Sequence, residues 1–409
     1  MDMETNTKKE KKTRKPSFFL YEIIAGIGIL LTKLYWRVKV DRKEIKNIKG
    51  QTLAIAPHAS TIDPVPVFAA LWPKRYNIIA GKDLFTWKEL KPFIKAFGAI
   101  PMTQGGMDLQ SVKTMKKAVD DGRSLLLFPE GKTTLDGKQL FYMNPSVAKL
   151  IKMFGCQVVL VKTNGAYCTK PRYIKGFRRG RMEVKASILF TEEEVRDLKP
   201  QEIFMRIQQE FKYNDNVWQI ENKVKFKAKN LADHLNYILY KCPKCGEEYK
   251  HIVTKNAMRC LACGNEVEMT CYGELKAKEG SVSKDRIDLW VNYEREELWK
   301  ETEKEDFCLR HAVTAYERND EKHEYVEIGK GTLFIDRETI GYEGKKNGED
   351  WNVIQHLAHM PYLVTKNKEG IDLNEDGKTY RFMFDEKKYS MKYGLVAEVL
   401  FAKRNGLTF

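Results

Sequence analysis

Leu53 to Phe68 reads LAIAPHASTIDPVPVF. Its opening, within the apolar run "TLAIAP" (52–57), is the length and composition of a buried strand. Asp63-Pro64 then marks a helix start, because Asp is favoured at the N-cap and Pro at the first helical position. Between strand and helix stands His58, and no other histidine precedes His234. Five positions on an ideal helix leave two side chains about 140° apart, so His58 and Asp63 cannot be neighbours on one helix face. A strand-to-helix loop, by contrast, can fold the imidazole back onto the carboxylate.

Outward from this stretch the same alternation continues. Further strands are expected at "YNIIAG" (76–81), "AIPMT" (99–103), "SLLLFP" (124–129) and "QVVLVKT" (157–163). Helices are expected at 64–72, 87–96, 107–120 and 145–154, with Leu109, Val112, Met115 and Val119 at helical spacing in the third. Strands alternating with helices imply an α/β fold, a mostly parallel sheet with flanking helices. "RMEVKASILF" reads as one more strand, and "TEEEVRDLKPQEIFMRIQQEF" as helical, opening with acids where the helix dipole favours them.

A carboxylate bonded to one imidazole nitrogen leaves the other free to take a proton from a hydroxyl, and stabilises the imidazolium that results. His58, Asp63 and the later "FPEG" (Phe128–Gly131) form an ordered set. H-x-x-x-x-D after an apolar strand, followed by FPEG, resembles the glycerolipid acyltransferases over roughly residues 40–215. The resemblance implies that His58 is the base, that Asp63 orients it, and that Glu130 and Gly131 shape the acceptor site. It also implies an acyl thioester co-substrate, acyl-coenzyme A or acyl carrier protein, and 1-acyl-sn-glycerol-3-phosphate as the expected acceptor in phospholipid biosynthesis.

Two family positions depart from the pattern. "GAIPMTQ" ends in Thr103 and Gln104 where the family has Asp-Arg, and Thr133 stands where an Arg commonly follows the FPEG glycine. A neutral amide cannot reproduce a guanidinium's two-pronged hold on phosphate. Lys132, Arg178 and Arg179 are therefore candidate substrate-binding cations, the last two within "KPRYIKGFRRGRMEVK", which also holds Lys170, Arg172, Lys175 and Arg181. A solvated basic hairpin beside an anionic membrane is the alternative, each cation there adding ~1 kcal/mol of attraction.

"CPKCG" and "CLACG" place Cys242, Cys245, Cys260 and Cys263 in a doubled C-x-x-C pattern. Four thiolates so spaced suit one structural Zn2+ in a zinc ribbon, and metal binding would supply the folding energy of so short a module. Metal spacing rather than a secreted disulfide framework indicates a reducing compartment. "NLADHLNYILY" (230–240) reads as a short amphipathic helix leading into it. Beyond it "IDLWVNYEREELWKE" reads as a helix; "GTLFIDRETIGY" and "KTYRFMFD" alternate as half-buried strands, with "NEDGK" as a hairpin turn. With the helix "YSMKYGLVAEVLF" this end resembles a pleckstrin-like lipid-binding barrel.

At the other end, the basic "KKEKKTRK" precedes "SFFLYEIIAGIGILLTKLYW". Aromatic residues at both ends suggest interfacial anchoring, and the uninterrupted apolar run is too short to span a bilayer. A monotopic helix on the cytoplasmic face of the cell membrane is expected, with a single pass as the alternative. The net charge of +15 calls for an anionic partner. Dispersed basic residues and the apolar anchor argue for membrane lipids, and no nucleic acid is expected. The expected organisation is leader and helix (1–37), acyltransferase domain (38–225), linker helix (226–240), zinc ribbon (241–275) and β-rich domain (276–409). A rival reading is a membrane-tethered adaptor that has lost activity and binds a partner through the ribbon and C-terminal domain.

Overall fold

The computed structural model describes residues 15–104, 109–319, 322, 324–366 and 370–409. The basic leader up to Arg14 and the first two residues of the helix expected at 107–120 lie outside the described residues. Seven strands form the first sheet: β1 (Lys39–Asp41), β2 (Thr52–Ile55), β3 (Tyr76–Gly81), β4 (Ile100–Met102), β5 (Ser124–Leu127), β6 (Gln157–Asn164) and β7 (Glu183–Phe190). Their order is β1-β7-β6-β2-β5-β3-β4, and every pairing except β6 with β7 is parallel.

The helices that the apolar runs predict lie on both faces: α1 (Phe18–Leu34), α2 (Pro64–Leu71), α3 (Lys91–Ala96), α4 (Leu109–Asp120) and α5 (Ser146–Phe154). Alternation along β2 divides the core. Leu53 and Ile55 pack with Met115 and Val119 of α4 and with Val147 and Ile151 of α5. Ala54 and Ala56 pack on the opposite face with Val67 and Phe68 of α2 and Tyr21 and Ala25 of α1. The chain leaves β2 toward one face and β5 toward the other, so a crevice opens at the carboxyl ends of these adjacent strands.

Local chemistry corrects three expected elements. The helix expected at 87–96 begins only at Lys91, because Pro92 lacks an N–H and belongs in a first turn. Pro200 likewise splits the 191–211 segment into helices Glu192–Asp197 and Pro200–Glu210. The 230–240 segment is not an amphipathic helix. Only Leu235–Tyr237 makes a 3-10 turn, His234 takes φ +58°, and Leu231, Ala232, Leu235, Ile238 and Leu239 bury their side chains from an irregular backbone. Helical spacing was thus met by tertiary burial without the helix.

Beyond it, β8 (His251–Thr254), β9 (Ala257–Cys260), β10 (Glu266–Met269) and β11 (Leu275–Ala277) form a small antiparallel sheet. The helix Ile287–Glu301 leads to a second seven-stranded sheet. Its strands are β12 (Cys308–Asn319), β13 (Glu324–Asp336), β14 (Thr339–Lys346), β15 (Glu349–His356), β16 (Val364–Lys366), β17 (Gly370–Glu375) and β18 (Lys378–Phe384), all antiparallel. Asp376 and Gly377, both at positive φ, make the β17–β18 turn read from NEDGK. The helix Ser390–Asn405 closes the unit and is buried over most of its length.

α1 is two-sided. Ser17 caps it, its hydroxyl accepting from Leu20 N at 3.4 Å, and Tyr21 is fully buried with its hydroxyl donating to the Lys74 carbonyl. The other face leaves Phe18 67% and Phe19 75% exposed, with Ile23, Ile27, Leu30, Leu31 and Leu34 also bare. At 17 residues α1 is about 25 Å long, short of the ~30 Å hydrocarbon core. No helix among the described residues is long and apolar enough to cross a membrane, so the single-pass alternative for α1 is not supported.

Candidate active site

His58 and Glu130 share one level of the crevice because of sheet register. β2 and β5 pair with Ile55 opposite Leu127, and each functional residue lies three positions beyond its strand partner. The His58 backbone N–H donates to Glu130 Oε2 at 2.5 Å, and the Leu140 N–H donates to Oε1 at 3.3 Å. The His58 carbonyl in turn accepts from Thr134 N at 3.1 Å. Glu130 is therefore a clamp on the backbone that carries the imidazole. Burial pushes its carboxyl up to about 7, against the pull of the His58 and Leu140 N–H groups.

The imidazole stacks at 4.5 Å on Phe128 and turns Nδ1 toward Asp63 Oδ2, 3.0 Å away. The same Oδ2 accepts from Ser60 N at 2.8 Å. Helix α2 does begin at Pro64, but the Asp63 carboxylate makes no capping bond to it. It is spent on the loop instead, which is how the loop brings the two side chains together. Burial pushes the Asp63 carboxyl above its ordinary range, opposed by its bonds from His58, Ser60 and Ala59. The His58 side chain is 20% exposed, whereas Asp63 is wholly buried. Of the pair, the ring alone is open to solvent.

The FPEG turn is held on all sides. Gly131 has φ +70°, a conformation L side chains rarely adopt, and its carbonyl accepts from Gln104 Nε2 at 3.1 Å. The Glu130 carbonyl accepts from the Tyr362 hydroxyl at 3.2 Å, a contact from the β-rich unit. Lys132 Nζ lies 2.8 Å from Glu398 Oε1 and 4.4 Å from the Tyr362 ring centre. Asn374 Nδ2 donates to the Gln104 carbonyl at 3.1 Å. The C-terminal sheet thus sits against the block that would meet the acceptor. No pattern near residue 130 signals Tyr362 or Glu398, more than 230 positions away.

Of the other candidate cations, Arg178 is buried elsewhere. It donates to the Tyr173 hydroxyl (3.0 Å) and the Leu231 carbonyl (2.7 Å), bracing the α/β unit against the segment before the cysteine knuckles. Arg179 is exposed, and its backbone pairs with Lys227. The structure does not bring either guanidinium to the His58–Glu130 turn.

The four cysteines do converge. Their Sγ atoms all lie within 4.8 Å of one another, with Cys242–Cys263 at 3.7 Å and Cys245–Cys260 at 3.8 Å. A tetrahedron with Zn–S bonds of about 2.3 Å has S···S edges of about 3.8 Å, so the thiols stand at zinc spacing. Gly246 and Gly264 take φ +77° and +73° after each pair, closing the two knuckles. His251 points away and bonds the Leu239 carbonyl through Nδ1 at 2.9 Å.

A mostly parallel α/β sheet thus carries an imidazole–carboxylate pair and a buried acid at the carboxyl ends of β2 and β5, an arrangement chemically able to take a proton from a hydroxyl. Residues 37–162 match the family model described as Acyltransferase. The chain is similar to the 1-acyl-sn-glycerol-3-phosphate acyltransferase of Streptococcus pneumoniae, 28% identical over 130 residues that cover 30% of this chain and 47% of that protein. It is also similar to the Bacillus subtilis protein of the same description, 25% identical over 115 residues, 28% of this chain and 58% of that one. The match thus spans about half the length of these curated relatives. Among solved structures, the 1-acyl-sn-glycerophosphate acyltransferase of Thermotoga maritima aligns with a TM-score of 0.36 and 20% identity, over 47% of this chain and 81% of that one.

Proposed function

We propose that the protein transfers a fatty acyl group from a thioester donor to a hydroxyl of a glycerophospholipid acceptor, 1-acyl-sn-glycerol-3-phosphate being the expected acceptor. The observation that carries this reading is the 3.0 Å bond from His58 Nδ1 to a buried Asp63 carboxylate, beneath a partly open ring. Nε2 accepts the acceptor's hydroxyl proton as its oxygen attacks the thioester carbonyl. Asp63 stabilises the imidazolium, the C–S bond breaks, and the departing thiolate recovers the proton from Nε2. Glu130 acts one step back, fixing the His58 backbone.

The bare face of α1, with Phe18, Phe19, Ile27 and Leu30, docks on the cytoplasmic leaflet without crossing it. A zinc ion held by the four cysteines supplies folding energy and no chemistry, since a closed four-thiolate site offers no open position. His58→Ala tests the reading. Acyl transfer from labelled acyl-coenzyme A or acyl carrier protein to lysophosphatidate should fall by about 10²- to 10⁴-fold, with the melting temperature nearly unchanged. A folded His58→Ala protein at full rate would remove the mechanism and favour a binding role.

A further inference from the structure

One cluster in the seam between the α/β unit and the β-rich unit holds more cations than carboxylates among the described residues. Lys132 lies 2.8 Å from Glu398. Arg295, from the helix Ile287–Glu301, reaches Glu398 Oε2 at 3.0 Å and Asp136 Oδ2 at 2.9 Å. Burial would raise the Glu398 carboxyl, but Lys132 and Arg295 outweigh it and hold the group below its ordinary range. The third cation, Arg172, forms no ion pair with a described carboxylate. Its Nη2 donates to the carbonyl (2.9 Å) and hydroxyl (3.0 Å) of Thr365, both neutral. Within this cluster three cations meet two described carboxylates, and Arg172 is the cation that forms no ion pair with either. Burial pulls both Arg172 and Lys132 down from their ordinary ranges, and the Arg172 charge pulls Lys132 further. The Arg172 guanidinium is half-buried, and its counter-charge among the described residues is the Glu398 carboxylate, which it does not pair with directly.

This excess borders the reaction centre. Lys132 directly follows Gly131, and the Ser60 hydroxyl donates to the Lys170 carbonyl at 2.7 Å, tying the Arg172 segment to the loop of His58 and Asp63. Gln104 and Thr133, meanwhile, bring no charge to the acceptor block. A guanidinium has five N–H donors, and Thr365 engages only Nη2. The remaining donors suit two oxygens of one anion. A phosphate monoester carries about −1.5 to −2 charges at neutral pH, enough to neutralise the excess.

We infer that the seam is an anion site in which Arg172, with Lys132 beside it, holds the phosphate monoester of the acyl acceptor, Thr365 and Tyr362 of the β-rich unit forming its far wall. The identity of the anion rests on the acyl-transfer reading; the existence of the site does not. The β-rich unit is on this account part of the acceptor site, and its removal would open that site to water.

The test uses the full chain and Arg172→Gln, with Arg172→Lys as a variant that keeps the charge and loses the fork. In a melting experiment at matched ionic strength, inorganic phosphate and glycerol 3-phosphate should stabilise the wild type. Arg172→Gln should bind them about tenfold or more weakly, as expected for loss of a charge-assisted pair, and Arg172→Lys should lie between. In acyl transfer, Arg172→Gln should raise KM for lysophosphatidate by about tenfold or more and change kcat little. KM for the acyl donor and turnover of a neutral monoacylglycerol should be unaltered. A KM rise confined to coenzyme A thioester, which has its own phosphate monoester, would overturn the acceptor assignment. Equal losses with neutral and phosphorylated acceptors, or unchanged phosphate affinity in the variant, would make Arg172 a strut and end the proposal. If the wild type transfers no acyl group yet binds phosphate through Arg172, the activity reading falls while the anion site stands.

Discussion

Asp63→Asn separates charge from shape at the candidate site. Asn keeps the volume of Asp and can still accept from Ser60 N, which lies 2.8 Å from Asp63 Oδ2. It can also still accept from His58 Nδ1, so the ring need not turn. What it loses is the negative charge that meets the imidazolium formed when His58 takes a proton. Two unit charges about 4 Å apart at an effective dielectric of about 20 attract by about 4 kcal/mol. That energy is present when the ring is charged and absent when it is neutral, so it falls on the barrier and corresponds to about 10³-fold in kcat. Stability should change little, because two effects oppose each other. Asp63 is wholly buried, its Oδ1 has no hydrogen-bond partner, and burial already disfavours its ionised form. An amide there removes a buried charge and costs no helix cap, because the carboxylate does not cap α2. Its NH2, however, takes the unpartnered Oδ1 place, an opposing cost of about 1–3 kcal/mol. The assay is initial-rate acyl transfer to lysophosphatidate beside thermal melts of both proteins. An Asp63→Asn enzyme within about threefold of wild-type kcat would refute the electrostatic role. A variant that unfolds would instead show that Asp63 is a structural residue of the loop.

Glu130 predicts a pH signature in stability. Its carboxyl is raised from 4.5 to about 7 in the fold, so between those values the unfolded chain has lost a proton that the native protein retains. Stability is therefore greatest at and below the unfolded value, falls as pH rises toward 7, and levels off above, by on the order of 3 kcal/mol in all. In Glu130→Gln this fall should disappear, and melting curves from pH 4 to 8 that run parallel for the two proteins would contradict it. For the cysteine cluster, metal analysis should find about one zinc per chain. In Cys245→Ala the zinc should be lost, along with protection from proteolysis around residues 241–275; a metal-free wild type would sink the assignment. At the membrane face, Phe19→Glu with Ile27→Glu should reduce sedimentation with anionic vesicles while leaving the melting temperature in place, since both side chains are bare. Deleting α1 would be a poorer probe because it also strips Tyr21 and Ala25 from the core. Undiminished vesicle binding by the double variant would move the contact to another surface.

Much of the site was legible along the chain because it is local. His58 and Asp63 lie within one loop, between an apolar strand and a proline-opened helix, and short-range patterning is what determines such a loop. The cysteine knuckles are local in the same sense, each pair closed by its own glycine. The α/β class followed from period and length, since apolar runs of four to eight residues between amphipathic segments admit few other layers. What tertiary structure alone decided is every relation between distant segments, and every use of a group that has more than one local option. Asp63 has the composition of a cap, yet the fold spends it on Ser60 and His58. Lys132 and Arg178 look alike as candidate cations. Burial against different partners sends one to the seam with Glu398 and the other to a strut against Leu231. The 230–240 segment carries helical spacing, but neighbours that bury its apolar residues without a helix override that preference. Tyr362 reaches the Glu130 carbonyl only because a second sheet, laid down late in the chain, packs on the first. Propensity acts over a few residues. Charge and burial act over space, and no spacing along the chain encodes which surfaces will meet.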